Sequence, residues 1–224
     1  MKKLQRYFFY LVGTWCVICL FIRCYTNLAG MQTGRTVGAG KAALGGSYML
    51  VHNSPTLYGD DEPPTNYLED QIKVFEFDAR FGVSKRTDLG LNISSQRMGL
   101  NAKINLIGND GPFALSIGAG GGLTGFHGYV QGNLFASLHP AKKLAFYCSP
   151  SYAHINIGEN STVYNVDKLR FKGANFGVLY GDKVQIGLDY GRYSLDLGKE
   201  APVFSNIGVG LKFILGKNGT DKQD

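Results

Sequence analysis

The sequence predicts an all-β fold: an antiparallel up-and-down transmembrane β-barrel of about ten strands, with eight or twelve strands as alternatives. Three observations predict it, namely regular alternation of apolar and polar residues, connections that alternate in length, and a low content of charged residues. The alternation is clearest in residues 73–83. One face of this stretch is aromatic and the other is charged: Phe75, Phe77 and Phe81 against Glu76, Asp78 and Arg80.

Strand side chains have a period of two, so residues 73–83 form an extended segment with two unlike faces. Three ionised groups on one face exclude a dry soluble core, because each charge would lose its hydration. Two environments remain. Either the charged face meets water on a soluble sheet, or the aromatic face meets lipid and the charges face the lumen of a barrel.

Composition favours the membrane barrel. Only 18% of the 224 residues are charged, 31 are glycine and 12% are aromatic. A soluble barrel would crowd its outer face with Lys and Glu, whereas the polar faces here consist mostly of Gly, Asn and Ser. The net charge of +6 comes from scattered lysines. A basic cluster with interleaved aromatic residues is missing, so no nucleic-acid partner is expected.

The chain begins with a basic segment, residues 1–6, followed by an apolar run over residues 7–22. The run is short for a membrane-spanning helix and has the layout of a secretory signal. We therefore expect a signal peptide at 1–23 (its end between 23 and 30), a periplasmic leader at 24–38, the barrel at 39–215 and a polar tail at 216–224. Cys24 is a possible lipidation site, although Arg23 precedes it, and cleavage near Ala29 or Gly30 competes.

Ten alternating segments follow one another from residue 41 onwards. They cover residues 41–51, 73–83, 88–94, 100–106, 113–120, 128–138, 144–157, 174–180, 184–191 and 206–213. The apolar face changes parity between the third and fourth segments, so a break is expected at residues 95–97. Pro150 interrupts the seventh segment and predicts a β-bulge there.

The connections between these segments sort by parity. Those after segments two, four, six and eight are tight turns rich in Gly, Asn, Asp, Pro and Lys, such as residues 109–112. The long ones follow segments one and seven and, to a smaller extent, nine. Transmembrane barrels show this asymmetry, with short turns on the periplasmic side and longer loops outside.

With these features the chain resembles the small bacterial outer-membrane β-barrel proteins. The resemblance is architectural and spans roughly residues 41–215. Its nearest motif is the alternating stretch 208–213, which looks like the final strand that such proteins present to the barrel-assembly machinery; residues 214–224 follow it here. The resemblance implies location in the bacterial outer membrane, contact with its lipids, insertion by that machinery, and a monomer.

The candidate site is the inner face of the barrel. Three acids and three bases are assigned to it: Glu76, Asp78, Arg80, Lys103, Asp189 and Lys212. In a narrow barrel, balanced charges predict a paired network that plugs the lumen. The sequence therefore predicts a non-enzymatic barrel with a structural or surface-interaction role, and a narrow channel for small solutes is one alternative.

A barrel enzyme is the other alternative. Barrels of this size resembling the chain include proteases with Asp and His at the extracellular rim, and enzymes that add or remove acyl groups on lipid A. His52 and His127 lie near predicted extracellular ends, and Asp60, Asp61 and Glu62 lie in the first long connection. Such a rim pair is conceivable, but no spacing singles it out, so no catalytic residue is assigned. The sequence also lacks a metal-ligand cluster, and neither metal nor cofactor is expected.

Overall fold

The computed structural model describes residues 31–53, 71–125, 127–156, 168–196 and 203–216. These ranges form a closed antiparallel barrel in which each strand pairs with its neighbours in sequence and the first pairs with the last. The predicted fold and the count of ten strands are confirmed. The strands are β1 (Ala42–Asn53), β2 (Gln71–Gly82), β3 (Thr87–Ser94), β4 (Arg97–Ile107), β5 (Phe113–Thr124), β6 (His127–Ala141), β7 (Leu144–Asn156), β8 (Lys168–Gly181), β9 (Val184–Asp196) and β10 (Val203–Leu215).

The expected signal peptide, Cys24 and the tail from residue 217 lie outside the described residues, as do residues 60–62. Within the described ranges, no helix is long and apolar enough to cross a membrane.

The outward face of the wall carries exposed apolar side chains on every strand. Phe75 on β2 is 62% exposed and Leu100 on β4 is 68% exposed. An apolar surface of this extent would cause aggregation in water. In hydrocarbon it is the expected exterior, and the closed ladder of backbone hydrogen bonds leaves no strand edge unpaired there.

The two ends of the barrel differ in their connections. At the end called here the short-turn end, residues 83–86, 108–112, 142–143 and 182–183 link the strands in pairs, and β1 begins and β10 ends there. Gly108 supplies a positive φ of 71° in one of these turns, a conformation that glycine adopts without strain. The opposite end, called the long-loop end, holds the connections 54–70, 95–96, 125–126, 157–167 and 197–202. The predicted parity of the tight turns is confirmed.

The predicted change of apolar face between β3 and β4 is present, but the connection that produces it is shorter than expected. Only Ser95 and Gln96 separate β3 from β4, and Arg97 already belongs to β4. The Ser94 hydroxyl accepts hydrogen bonds from the backbone N–H groups of Gln96, at 3.1 Å, and Arg97, at 3.0 Å. This side-chain contact satisfies the donors of the tight connection, which is why the chain reverses in two residues.

The prediction of a β-bulge at Pro150 is wrong. Asn133 pairs with Ser151 and Ala136 pairs with Cys148, so the register between β6 and β7 is the same on both sides of the proline. On the other side, Pro150 pairs with Ala174 in an uninterrupted ladder. Proline lacks one donor, and β7 loses that hydrogen bond without gaining an extra residue.

The wall is taller on one side than on the other. β3 has 8 residues and β8 has 14. Where the wall rises at the long-loop end, its inner face becomes apolar. The buried side chains that pack together there are Tyr129, Ala153, Ile155, Leu169, Phe171, Tyr193, Leu195 and Phe204. The barrel therefore has an apolar interior core near the long-loop end, and toward the short-turn end polar side chains lie alongside a smaller apolar cluster of Ala145, Tyr147 and Leu179.

Candidate functional site in the barrel lumen

The structure places all six predicted lumenal charges on the inner side of the wall. Two of them, Asp78 and Lys212, are half-buried. The others are almost fully buried, with exposures of 4% for Glu76, 2% for Arg80, 2% for Lys103 and 5% for Asp189. Their strands alternate between these residues and outward apolar ones, so the inward orientation follows from the period of two.

Three ion pairs contain four of these charges, Glu76, Asp78, Arg80 and Lys103, and two residues that the sequence analysis did not assign to the lumen. Arg80 Nε lies 3.5 Å from Asp78 Oδ2. Arg97 Nη2 lies 3.3 Å from Glu76 Oε2, and Lys103 Nζ lies 3.5 Å from Asp88 Oδ2.

Strand parity could have identified both additional residues. Asp88 precedes the outward Leu89, and Arg97 has the same parity as Lys103 on β4. Arg97 was interpreted as part of a turn, which hid its orientation. With these two included, the described strands contribute four acids and four bases to the lumen.

Amide side chains connect two of these charges across three strands. Arg80 Nη2 donates to Asn101 Oδ1 at 2.6 Å, and Asn92 Nδ2 donates to Asp78 Oδ1 at 2.7 Å. Asn101 Nδ2 in turn donates to Asn92 Oδ1. The result is a continuous chain of hydrogen bonds, which reduces the cost of burying the charges.

Residues 31–37 lie inside the barrel and are called here the lumenal segment. Gly34 is its best-held residue. The Gly34 N–H donates to Ser137 Oγ at 3.0 Å, and the Gly34 carbonyl accepts from Asn105 Nδ2 at 2.8 Å and from the Ser116 hydroxyl. These residues belong to the stretch expected as a periplasmic leader at 24–38, and the part of it that is described up to residue 37 lies within the wall.

The lumenal charges bind the backbone of this segment. Lys103 Nζ donates to the Arg35 carbonyl at 2.7 Å and to the Thr33 carbonyl at 3.3 Å. Lys212 Nζ lies 3.5 Å from the Met31 carbonyl. The two lysines thus supply donors to carbonyl groups that have no strand partner.

Toward the short-turn end, the segment is held by turn residues and by Asp88. The Val37 N–H donates to Asp88 Oδ1 at 3.0 Å, and the Thr36 N–H donates to Asn109 Oδ1 at 2.8 Å. Arg35 Nη2 donates to the Gly111 carbonyl at 2.5 Å. Partial burial lowers the pKa of the Arg35 guanidinium from its usual value, and the nearby Asp110 carboxylate opposes that shift.

The fit of the segment requires a glycine at position 34. A Cβ at Gly34 would lie 2.3 Å from the Ala114 carbonyl oxygen and 2.8 Å from the Phe135 carbonyl oxygen, and both are backbone atoms of the wall. At the deep end of the segment, the sulfur of Met31 would lie 2.6 Å from a Cβ at Gly187 and 2.7 Å from one at Gly210. Glycines on both partners therefore allow the close approach.

Little space is left beside the segment. A cavity of about 10 Å³ lies between Gln32, Arg80 and Arg97, and another of about 20 Å³ lies between Met31, Asp78 and Lys212. Each is about the size needed for a single water molecule.

The structure does not bring the candidate rim histidines together. His52 lies on β1 and His127 on β6, and these strands are five positions apart around the barrel in either direction. The acidic residues proposed to accompany them lie outside the described ranges. Among the described residues, no group of three or more His, Cys, Asp or Glu side chains could hold a metal ion.

No protein-family model matches the sequence, and no curated protein is significantly similar to it. Solved structures with similar folds include Ail, the attachment invasion locus protein of Yersinia pestis, in complex with the heparin analogue sucrose octasulfate. Ail is 8% identical in sequence with a TM-score of 0.39, and the match covers 79% of this chain and 99% of Ail. Neisserial surface protein A has 10% identity and a TM-score of 0.34, covering 78% and 98%. An outer-membrane channel from Pseudomonas putida F1 has 10% identity and a TM-score of 0.44, covering 87% and 100%.

The chain's own architecture shows what kind of barrel it is. Its wall is closed and antiparallel, every strand carries exposed apolar side chains on its exterior, and all the connections at the short-turn end are short. These are the properties of barrels that cross a membrane with strands. The chain is a closed, ten-stranded antiparallel β-barrel with the architecture of a membrane-spanning barrel.

Proposed function

We propose that the protein is a non-enzymatic outer-membrane barrel whose lumen is closed to solutes and whose role is structural or based on contacts at its surface. The observation that carries the proposal is the lumenal segment. Its backbone is hydrogen-bonded by Lys103 on β4, Ser116 on β5 and Ser137 on β6, and each of these bonds would be lost if a solute displaced it.

The balance of buried charges supports closure over conduction. An open polar pathway needs water-filled space, whereas the two cavities beside the segment hold about one water each. Three ion pairs join six of the charges of the wall, and two of these pairs have side-chain exposures of 2% or less. Charges so paired are poor sites for a passing ion.

The enzyme alternative has less support. A rim His–Asp arrangement needs its members within hydrogen-bond reach of one another or of the substrate. His52 and His127 stand on opposite strands of the barrel. The proposal therefore assigns external contacts to the long-loop end and no chemistry to the lumen.

The test is electrical conductance in planar bilayers, with the wild type compared to Gly34→Val. The wild type is expected to show no steady conductance, because the segment fills the lumen. The valine cannot approach Ala114 and Phe135, so the variant is expected to show conducting steps.

The matched control is Gly132→Val. Gly132 is an exposed glycine on β6, and a Cβ there meets nothing within 4 Å. The control should behave like the wild type. Electrophoresis with and without boiling confirms that each variant is a folded barrel. Steady, ohmic conductance of the folded wild type would contradict closure and support the narrow channel instead.

A further inference from the structure

The tall side of the barrel changes character along its outer face. On β8 the outward residues run from Tyr180, Val178 and Phe176 to Ala174 and then become basic. On β9, Tyr190 is followed on the same face by Arg192. The inner face changes in the opposite sense and becomes apolar at Phe171 and Tyr193. Because the outer face becomes basic where the inner face becomes apolar, we infer that β8 and β9 extend beyond the hydrocarbon core of the membrane at this level.

Four exposed cations occupy the outer face above the change. They form what is called here the basic patch: Lys168, Arg170, Lys172 and Arg192. Lys168, Arg170 and Lys172 are alternate residues of one strand and so share one face. Arg192 pairs with Ala174, and Lys172 pairs with Ser194, which makes Lys172 and Arg192 diagonal neighbours across the two strands.

The patch borders aromatic residues of the apolar exterior. Tyr152 pairs with Lys172 and is 48% exposed, and Phe176 is 51% exposed. Tyrosine side chains are enriched at the level of lipid headgroups in membrane proteins. The cations are therefore placed where headgroups meet the wall.

The patch is local. On β4, β5 and β6 the outward side chains near the long-loop end are apolar, for example Met98, Leu123 and Val130, and the outward face of β2 adds one exposed cation at that end, Lys73, on the other side of the barrel. Within the patch, Asp196 pairs with Arg170 and compensates one positive charge. An excess of three positive charges remains on two neighbouring strands.

We propose that the basic patch binds the phosphate groups of lipids in the outer leaflet, with lipid A as the chemical class. The proposal rests on the outer-membrane location. Guanidinium groups bind phosphate in a bidentate manner, and two arginines with a lysine between them can surround one phosphate. A lipid fits better than a free anion, because its acyl chains would cover the exposed aromatic residues that border the patch, Phe176 along β8 and Tyr152 beside Lys172.

The experiment measures lipid A binding to the full-length barrel in detergent micelles by native mass spectrometry. The test variant is R170Q/K172Q/R192Q. The matched control is K142Q/K143Q/K183Q, which removes three exposed lysines from the turns at the short-turn end. Removing three cations from the patch should weaken lipid A binding roughly a hundredfold, and the control should bind within about twofold of the wild type.

Further measurements test whether the lipid phosphates are the group that the patch binds. Lipid A without its phosphates should bind as weakly to the wild type as intact lipid A binds to the test variant. Inorganic phosphate should compete poorly, because it lacks acyl chains. If inorganic phosphate or heparin competes as effectively as lipid A, the patch is a general anion site and the proposal is overturned.

The outcomes separate this inference from the proposed function. A test variant that keeps its mobility shift on boiling but binds lipid A like the wild type overturns the lipid site alone. A wild-type chain that stays soluble and monomeric without detergent overturns the membrane barrel itself.

Discussion

Lys103 Nζ lies 3.5 Å from Asp88 Oδ2 and 2.7 Å from the carbonyl oxygen of Arg35, so one lysine joins the wall to the segment inside it. The ammonium and the carboxylate have side-chain exposures of 2% and 0%. Asp88 also accepts the N–H of Val37. The pair therefore fixes the register of the lumenal segment as well as the contact between β3 and β4.

Replacing Asp88 with asparagine should destabilise the barrel by about 3 kcal/mol or more, because Lys103 keeps a buried charge without its partner. The free energy of unfolding in urea, measured in lipid vesicles, checks this. Asp182→Asn is the control, since Asp182 is exposed in the turn between β8 and β9, and it should change stability by about 0.5 kcal/mol or less. An equal effect of both substitutions would contradict the role given to the pair.

Glu76 and Arg97 should show strong energetic coupling. Arg97 also donates to Gln131 Oε1 at 3.2 Å, so the guanidinium bridges β2 and β6. Arg97→Met alone leaves the Glu76 carboxylate buried and is expected to cost about 3–5 kcal/mol. The double variant with Glu76→Gln should cost clearly less than the sum of the two single variants. A double-mutant cycle measures this difference, and simple additivity would show that the two groups act independently.

Gly99 should tolerate no side chain while Tyr129 keeps its hydroxyl. A Cβ at Gly99 would lie 2.0 Å from the Tyr129 hydroxyl oxygen and 2.9 Å from the Gly121 carbonyl oxygen. Gly99→Ala is therefore expected to cost about 1–3 kcal/mol of stability. Adding Tyr129→Phe should restore part of the loss by removing the hydroxyl. Gly128→Ala is the control, because a Cβ at Gly128 meets nothing within 4 Å.

Cells that produce the wild type should contain the same lipid A as cells that lack the protein. The proposed function assigns no chemistry to the barrel, and His52 and His127, on strands five positions apart, are too far apart to act together. Mass spectrometry of extracted lipid A, together with a peptide-cleavage assay on whole cells, checks this. The H52A/H127A variant should be indistinguishable from the wild type. A modified lipid or a cleaved peptide that disappears in the variant would restore the enzyme alternative.

The sequence alone determined the strands, their faces and the sorting of the turns. Residues 73–83 show why. In a barrel wall each side chain faces either lipid or lumen, so apolar and polar residues alternate along the strand and identify its two faces. The same rule assigned Glu76, Asp78, Arg80, Lys103, Asp189 and Lys212 to the lumen. The rule did not assign Arg97 to the lumen, because the connection before it has only two residues and the first residue of β4 was interpreted as part of the turn.

Only the tertiary structure decided what fills the lumen. Residues 31–37 have no repeating pattern, since their backbone groups bind side chains from several strands, and Gly34 is held by Asn105, Ser116 and Ser137, which are far from it in sequence. Closure of β1 onto β10 likewise decided that His52 and His127 stand apart. Alternation states which face a residue takes, but it does not state at which height the surroundings of that face change from lipid to water. The inversion at Phe171 and Lys172 therefore became visible only once the strands were aligned side by side.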